Sequence, residues 1–128
     1  MYNTYVLIHL VGAFFVLAAL GGTFLHVING GTKQTNLWAK PMAILHGAGL
    51  LVVLVFGLLT LVMLGVKPSE FNLYVYIKLL IWLFLGAAIV LPYKVQASAK
   101  VLMFAVPLLM AVSAYIGLYG LMRVIPGG

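Results

Sequence analysis

The sequence predicts an all-α integral membrane protein, a four-helix antiparallel bundle, and three observations lead there. The 128 residues are 66% hydrophobic and 6% charged, whereas a soluble domain is about half apolar and about a quarter charged. The apolar residues fall in four long runs, and the short polar breaks between them carry most of the charges. Each run reaches the ~20 residues at which a helix rising ~1.5 Å per residue crosses a ~30 Å hydrocarbon layer. Four crossings occupy residues 1–128 as a single domain.

The first span covers residues 5–28. Met1-Tyr2-Asn3-Thr4 carries no basic side chain, and the apolar stretch behind it outlasts the ~7–15 residues of a secretory signal, so it reads as a retained helix. Asn29-Gly30-Gly31 ends it through residues that tolerate positive φ. Trp38 suits the headgroup layer and Pro41 a first helical turn, which opens the second span at 41–64. Residues 65–70 form a hydrophilic turn in which Ser69 or Glu70 suits the start of the third span, 71–91. Pro92-Tyr93-Lys94 ends that span, and a basic connection leads to the fourth, 101–124, where Pro107 predicts a kink.

Alternating spans place Lys33, Lys40, Lys94 and Lys100 on one side and only Lys67 and Arg123 on the other. The positive-inside rule then puts both termini outside the cytoplasm, with a bacterial inner (cytoplasmic) membrane the expected location. The net charge of +6 is scattered rather than clustered, so it reads as membrane anchoring and not as a nucleic-acid surface. With no cysteine there is no disulfide, thiolate metal site, iron-sulfur cluster or covalently attached c-type haem. Glu70 is the only carboxylate side chain and sits in a loop, so the chain holds no acid/base pair. No phosphate loop, metal-protease helix or nucleophile elbow is present. An enzyme built on this chain needs a cofactor to carry its chemistry. Met103, Met110 and Met122 read as packing residues rather than copper ligands.

Ionisable side chains inside a bilayer are expensive and mark functional sites by default. Here they are His9, His26, His46 and Lys78. Counting from the span ends sorts them by depth: His26 and His46 toward the Lys-rich side, His9 and Lys78 toward the termini, one polar layer per leaflet. At about 100° per residue, His46, Gly49, Val53, Gly57 and Thr60 share one face of the second span, and His9, Gly12, Ala19, Thr23 and His26 share one face of the first. Small residues on such faces either let helices approach closely or clear space for a flat cofactor.

Histidines at the edges of these faces point to a non-covalent b-type haem, which takes one or two axial side chains in a dry slot. His26 facing His46 at one depth is what a bis-histidine haem requires, and His9 is a further candidate iron ligand. Lys78 stands as an alternative ligand, a partner for a haem propionate, or a proton carrier. Tyr74, one turn before Lys78, is the tyrosine that suits the pocket.

Taken together, His9 near the start of the first helix, Phe56-Gly57-Leu58-Leu59, Ile77-Lys78-Leu79-Leu80 and Pro107-Leu108-Leu109 give the chain a diffuse resemblance to the small four-helix membrane proteins of the HemJ-type protoporphyrinogen oxidase and CopD-like group. The resemblance implies a b-type haem in the bundle, importance for His9 and Lys78, and a redox task linked to porphyrin or quinone. The chain departs from that group in lacking the Trp-x-Lys before the first histidine and in carrying Ala105-Val106 where an acidic residue stands; His46 has no counterpart. The departures separate haem binding from the oxidase reaction. The expectation is a haem b protein of the lipid bilayer with a redox or electron-transfer role, a candidate haem-dependent oxidoreductase, homo-oligomeric and without a nucleic-acid partner. The alternatives are a cofactor-free assembly subunit of a larger membrane complex, or a copper or proton transport component.

Overall fold

The first apolar run forms α1, Tyr2–Ile28, and the second forms α2, Ala39–Met63, in a computed structural model that describes residues 1–124 and side-chain surroundings through Gly120. Both helices end in the same way. Gly30 (φ 86°) and Gly65 (φ 75°) take the left-handed conformation that side chains resist. The amide of Gly31 then reaches His26 O at 2.9 Å and that of Val66 reaches Leu61 O at 3.0 Å, satisfying carbonyls the helix leaves open.

Between α2 and the next helix lies a 3₁₀ turn, Pro68–Glu70. The Glu70 carboxylate accepts the Lys67 backbone N–H at 2.9 Å. It therefore caps this turn rather than a long helix, and α3 begins only at Leu73, running to Ala88. After a gap of two residues, Ile89 and Val90, α4, Leu91–Lys94, follows. The interruption has a local cause: Pro92 has no N–H for the Ala88 carbonyl four residues back, and its ring crowds it. Ile89 (φ −73°, ψ −27°) and Val90 (φ −90°, ψ −33°) keep helical dihedrals across the break. Helical backbone thus continues past the proline at which the sequence pattern ended the span. The last helix, α5 (Ser98–Val124), continues through Pro107. Met122 and Arg123 lie beyond the residues whose side chains are described, and Pro126-Gly127-Gly128 beyond the described backbone.

Among the described residues the chain is all helical, and three helices, α1, α2 and α5, are long and apolar enough to cross a membrane. Their outward surface is also apolar: Leu7, Phe14, Leu51, Phe104 and Leu108 are exposed, as is Leu80 on α3. A continuous surface of this kind is foreign to a soluble monomer.

The helices pack in two halves. Toward the Lys-rich end, Val16, Leu20, Phe24, Leu50, Leu85, Ala88, Leu102 and Val106 form one core. Asn36 Nδ2 donates to Tyr93 Oη at 2.9 Å, tying the α1–α2 loop to α4 at that end. Between α1 and α2 the backbones meet at two glycines. A Cβ on Gly12 would lie 3.1 Å from Gly49 O and 2.8 Å from Val52 Cγ1; one on Gly49 would lie 3.0 Å from Gly12 O and 2.8 Å from Val16 Cγ2. These are the small residues that permit close helix approach. In the half nearer the termini the helices stand apart and enclose a cavity.

Candidate functional site

The cavity measures about 400 Å³ and is lined by all four long helices, His9, Gly57, Lys78 and Gly117 among them. That volume lies within the ~300–1,000 Å³ of small-molecule and cofactor sites. Its walls are graded along α3. Tyr74 lies nearest the helix start, Lys78 one turn further, and Trp82 and Leu85 deeper still, where the core begins. At ~1.5 Å per residue, Trp82 is about 6 Å further along the axis than Lys78. The indole N–H of Trp82 is committed to Leu50 O at 2.9 Å, so its ring serves as wall.

His9 is oriented by its neighbour on α2. Its Nδ1 lies 2.7 Å from Val53 O. A carbonyl only accepts, so Nδ1 carries the proton and Nε2 keeps a free lone pair. The ring edge lies against Gly57, where a Cβ would stand 3.2 Å from both Cε1 and Nδ1. Histidines that ligate iron or zinc have their second nitrogen held by a carbonyl or carboxylate in this manner, which sets both tautomer and ring angle.

Two further side chains rest on glycines of α5. The Lys78 amine sits above Gly117, where a Cβ would come within 2.5 Å of Nζ, and the Tyr74 ring sits on Gly120 in space a Cβ would fill. The Tyr74 hydroxyl is buried without a hydrogen-bond partner among the described residues. Lys78 is within electrostatic reach of His9, although no hydrogen bond joins them.

The other two histidines lie elsewhere. His26 Nε2 donates to Thr32 O at 2.9 Å and approaches Thr35 Oγ1 at 3.2 Å, and the Gly31 backbone packs directly on its ring. It holds the α1–α2 loop and lines a separate pocket with Asn36 and Trp38. His46 is 4% exposed, and its Nε2–H donates to Leu85 O at 2.9 Å. Together with the Trp82–Leu50 bond this laces α2 to α3 in both directions. The structure therefore brings His9 and Lys78 to one cavity and leaves His26 and His46 apart from it and from each other.

The glycine faces divide in the same way. Gly12 and Gly49 serve close packing, while Gly57 on α2, and Gly117 and Gly120 on α5, make room for polar side chains. The α5 face went unread in the sequence, although Ser113, Gly117 and Gly120 follow the helical spacing that marked α1 and α2. Among the described residues no three His, Cys, Asp or Glu side chains converge. A bare metal ion would lack a full donor set here, whereas haem brings its equatorial nitrogens and asks the protein for axial ligands alone. Comparison of the chain with known protein families, with characterised proteins and with solved structures finds no match.

Proposed function

We propose that the chain is a membrane-embedded b-type haem protein with a redox or electron-transfer role, and that the cavity between α1, α2, α3 and α5 is its haem site. The observation that carries this reading is the His9 ring: Nδ1–H fixed on Val53 O, Nε2 free, beside an apolar cavity of cofactor size. Gly57, Gly117 and Gly120 seat the His9, Lys78 and Tyr74 side chains against the cavity wall, which keeps these polar groups at its margin. In this reading His9 would hold the haem iron through Nε2, and Lys78 and Tyr74 would meet the polar edge of the group. His26 and His46 are not assigned to iron, because neither lines this cavity: His26 sits at the α1–α2 loop and His46 between α2 and α3.

The four-span arrangement belongs to the same proposal. Leu73–Lys94, read through its proline break, is 22 residues, or about 33 Å of helix, long enough for a fourth crossing. The Lys-rich loops then face the cytoplasm and the cavity opens toward the opposite surface. Haem, when bound, would supply one-electron iron chemistry; the helices supply a largely apolar slot, and the Val53 carbonyl holds the His9 proton on Nδ1, leaving Nε2 as the nitrogen that would meet the iron.

The test is purification of the full chain in detergent from haem-replete cells, with an absorption spectrum and a pyridine haemochrome assay. The expected result is a Soret band and close to one haem b per chain. A colourless, haem-free protein that remains so when haemin is added would sink the proposal.

A further inference from the structure

Among the described residues Lys78 has no counter-ion. The sequence contains one acidic side chain, Glu70, and its carboxylate is engaged with the Lys67 amide in an exposed turn. No described residue accepts a hydrogen bond from Lys78. One turn earlier on the same helix, the Tyr74 hydroxyl is buried without a partner among the described residues. An ammonium donates and cannot accept, and a phenol donates readily. Two donors on one face therefore line a space whose other polar groups, the His9 ring and the Ser113 and Thr60 hydroxyls, are all uncharged acceptors, with no anion among the described residues. A charge held in apolar surroundings is tolerated when paired, and none of the described residues supplies the pair. The deeper wall, formed by Trp82, Leu85 and Met110, is apolar, so the molecule that supplies the anion has a hydrophobic body.

We propose that Lys78, with Tyr74 beside it, is the seat of a ligand carboxylate, and that the ligand lies with its charged edge toward the termini and its apolar edge against Trp82 and Met110. The inference rests on the haem reading of the cavity, where that carboxylate is a propionate. Gly117 is a positioning residue for the seat, since it leaves the amine its place.

The experiment titrates the haem-free full chain in lipid nanodiscs with haemin and with haemin dimethyl ester, whose propionates are neutral. The titrations use wild type, Lys78→Met, Tyr74→Phe and Gly117→Ala, with Kd read from the Soret band. Truncating one side of a buried charge pair predicts that esterification weakens wild-type binding by about 30-fold or more. In Lys78→Met the penalty should shrink to a few-fold, and Gly117→Ala, which displaces the amine without removing it, should move the same way. A parallel arm uses a fluorescent long-chain fatty acid. If the fatty acid binds in a Lys78-dependent manner while haemin leaves the spectrum unchanged, the carboxylate seat stands and the haem reading falls. An equal ester penalty in wild type and Lys78→Met, or no hydrophobic acid that distinguishes the two, overturns the seat.

Discussion

Alanine at Gly12 should destabilise the protein, while alanine at Gly47 on the neighbouring helix should not. Both glycines lie inside helices, where alanine is favoured over glycine by about 1 kcal/mol. That gain is common to both substitutions and cancels in their comparison. What differs is the space. A Cβ on Gly47 meets nothing within 4 Å, whereas one on Gly12 meets Val52 Cγ1 at 2.8 Å and the Gly49 carbonyl at 3.1 Å. The valine methyl can rotate aside, but the carbonyl belongs to the backbone of α2, so the helices must separate. Overpacking of this kind costs about 1–3 kcal/mol, and Gly12→Ala should therefore fall below Gly47→Ala by that amount. Equilibrium unfolding in mixed micelles of a mild detergent and sodium dodecyl sulfate, followed by tryptophan fluorescence, measures the difference. Equal stability of the two variants would refute the close α1–α2 crossing.

Gly57→Ala presses on the His9 ring from 3.2 Å and should lower haem affinity several-fold with a stability change under about 1 kcal/mol, as read by haemin titration beside unfolding. His26→Ala removes the donor to Thr32 O and should expose the 29–36 loop to proteolysis while leaving the Soret position unchanged; a shifted Soret would restore His26 as a ligand. His46→Ala loses a hydrogen bond worth about 1 kcal/mol and opens a buried space, so a stability loss of about 2 kcal/mol with an unchanged Soret is expected. A shifted Soret with unchanged stability would reverse that assignment.

Much of the frame was legible in the sequence because the physics that sets it is one-dimensional. Run length decides what can span, and Gly30 and Gly65 end helices through a local conformational preference. Depth was also readable: counting residues from the turns placed His9 and Lys78 at one level, and they share a cavity. Facing was not readable in the same way. The 100° rule relates residues within one helix but leaves the rotation of that helix against its neighbours open. His46 faces α3 and bonds Leu85 O, and depth failed here as well: with Gly12 against Gly49 and Gly22 against Met42, His46 lies about two helical turns deeper than His26. His26 was lost for another reason: the glycine-rich turn after it folds the loop back onto its ring, a contact that no periodicity encodes. Pro92 marked the end of a helix by rule, yet Ile89 and Val90 retain helical dihedrals across the break. Trp82 carried a signal that went unused, since an indole N–H deep in an apolar span requires an acceptor, and Leu50 O on α2 supplies it.

The central claim is that the free Nε2 of His9 binds haem iron. Its most direct test is the absorption spectrum of reduced and oxidised His9→Gly in detergent, recorded before and after addition of imidazole. The account predicts a shifted or lost Soret band in the variant and return of the wild-type spectrum as imidazole fills the space the side chain vacated. A His9→Gly spectrum identical to wild type without imidazole would contradict it.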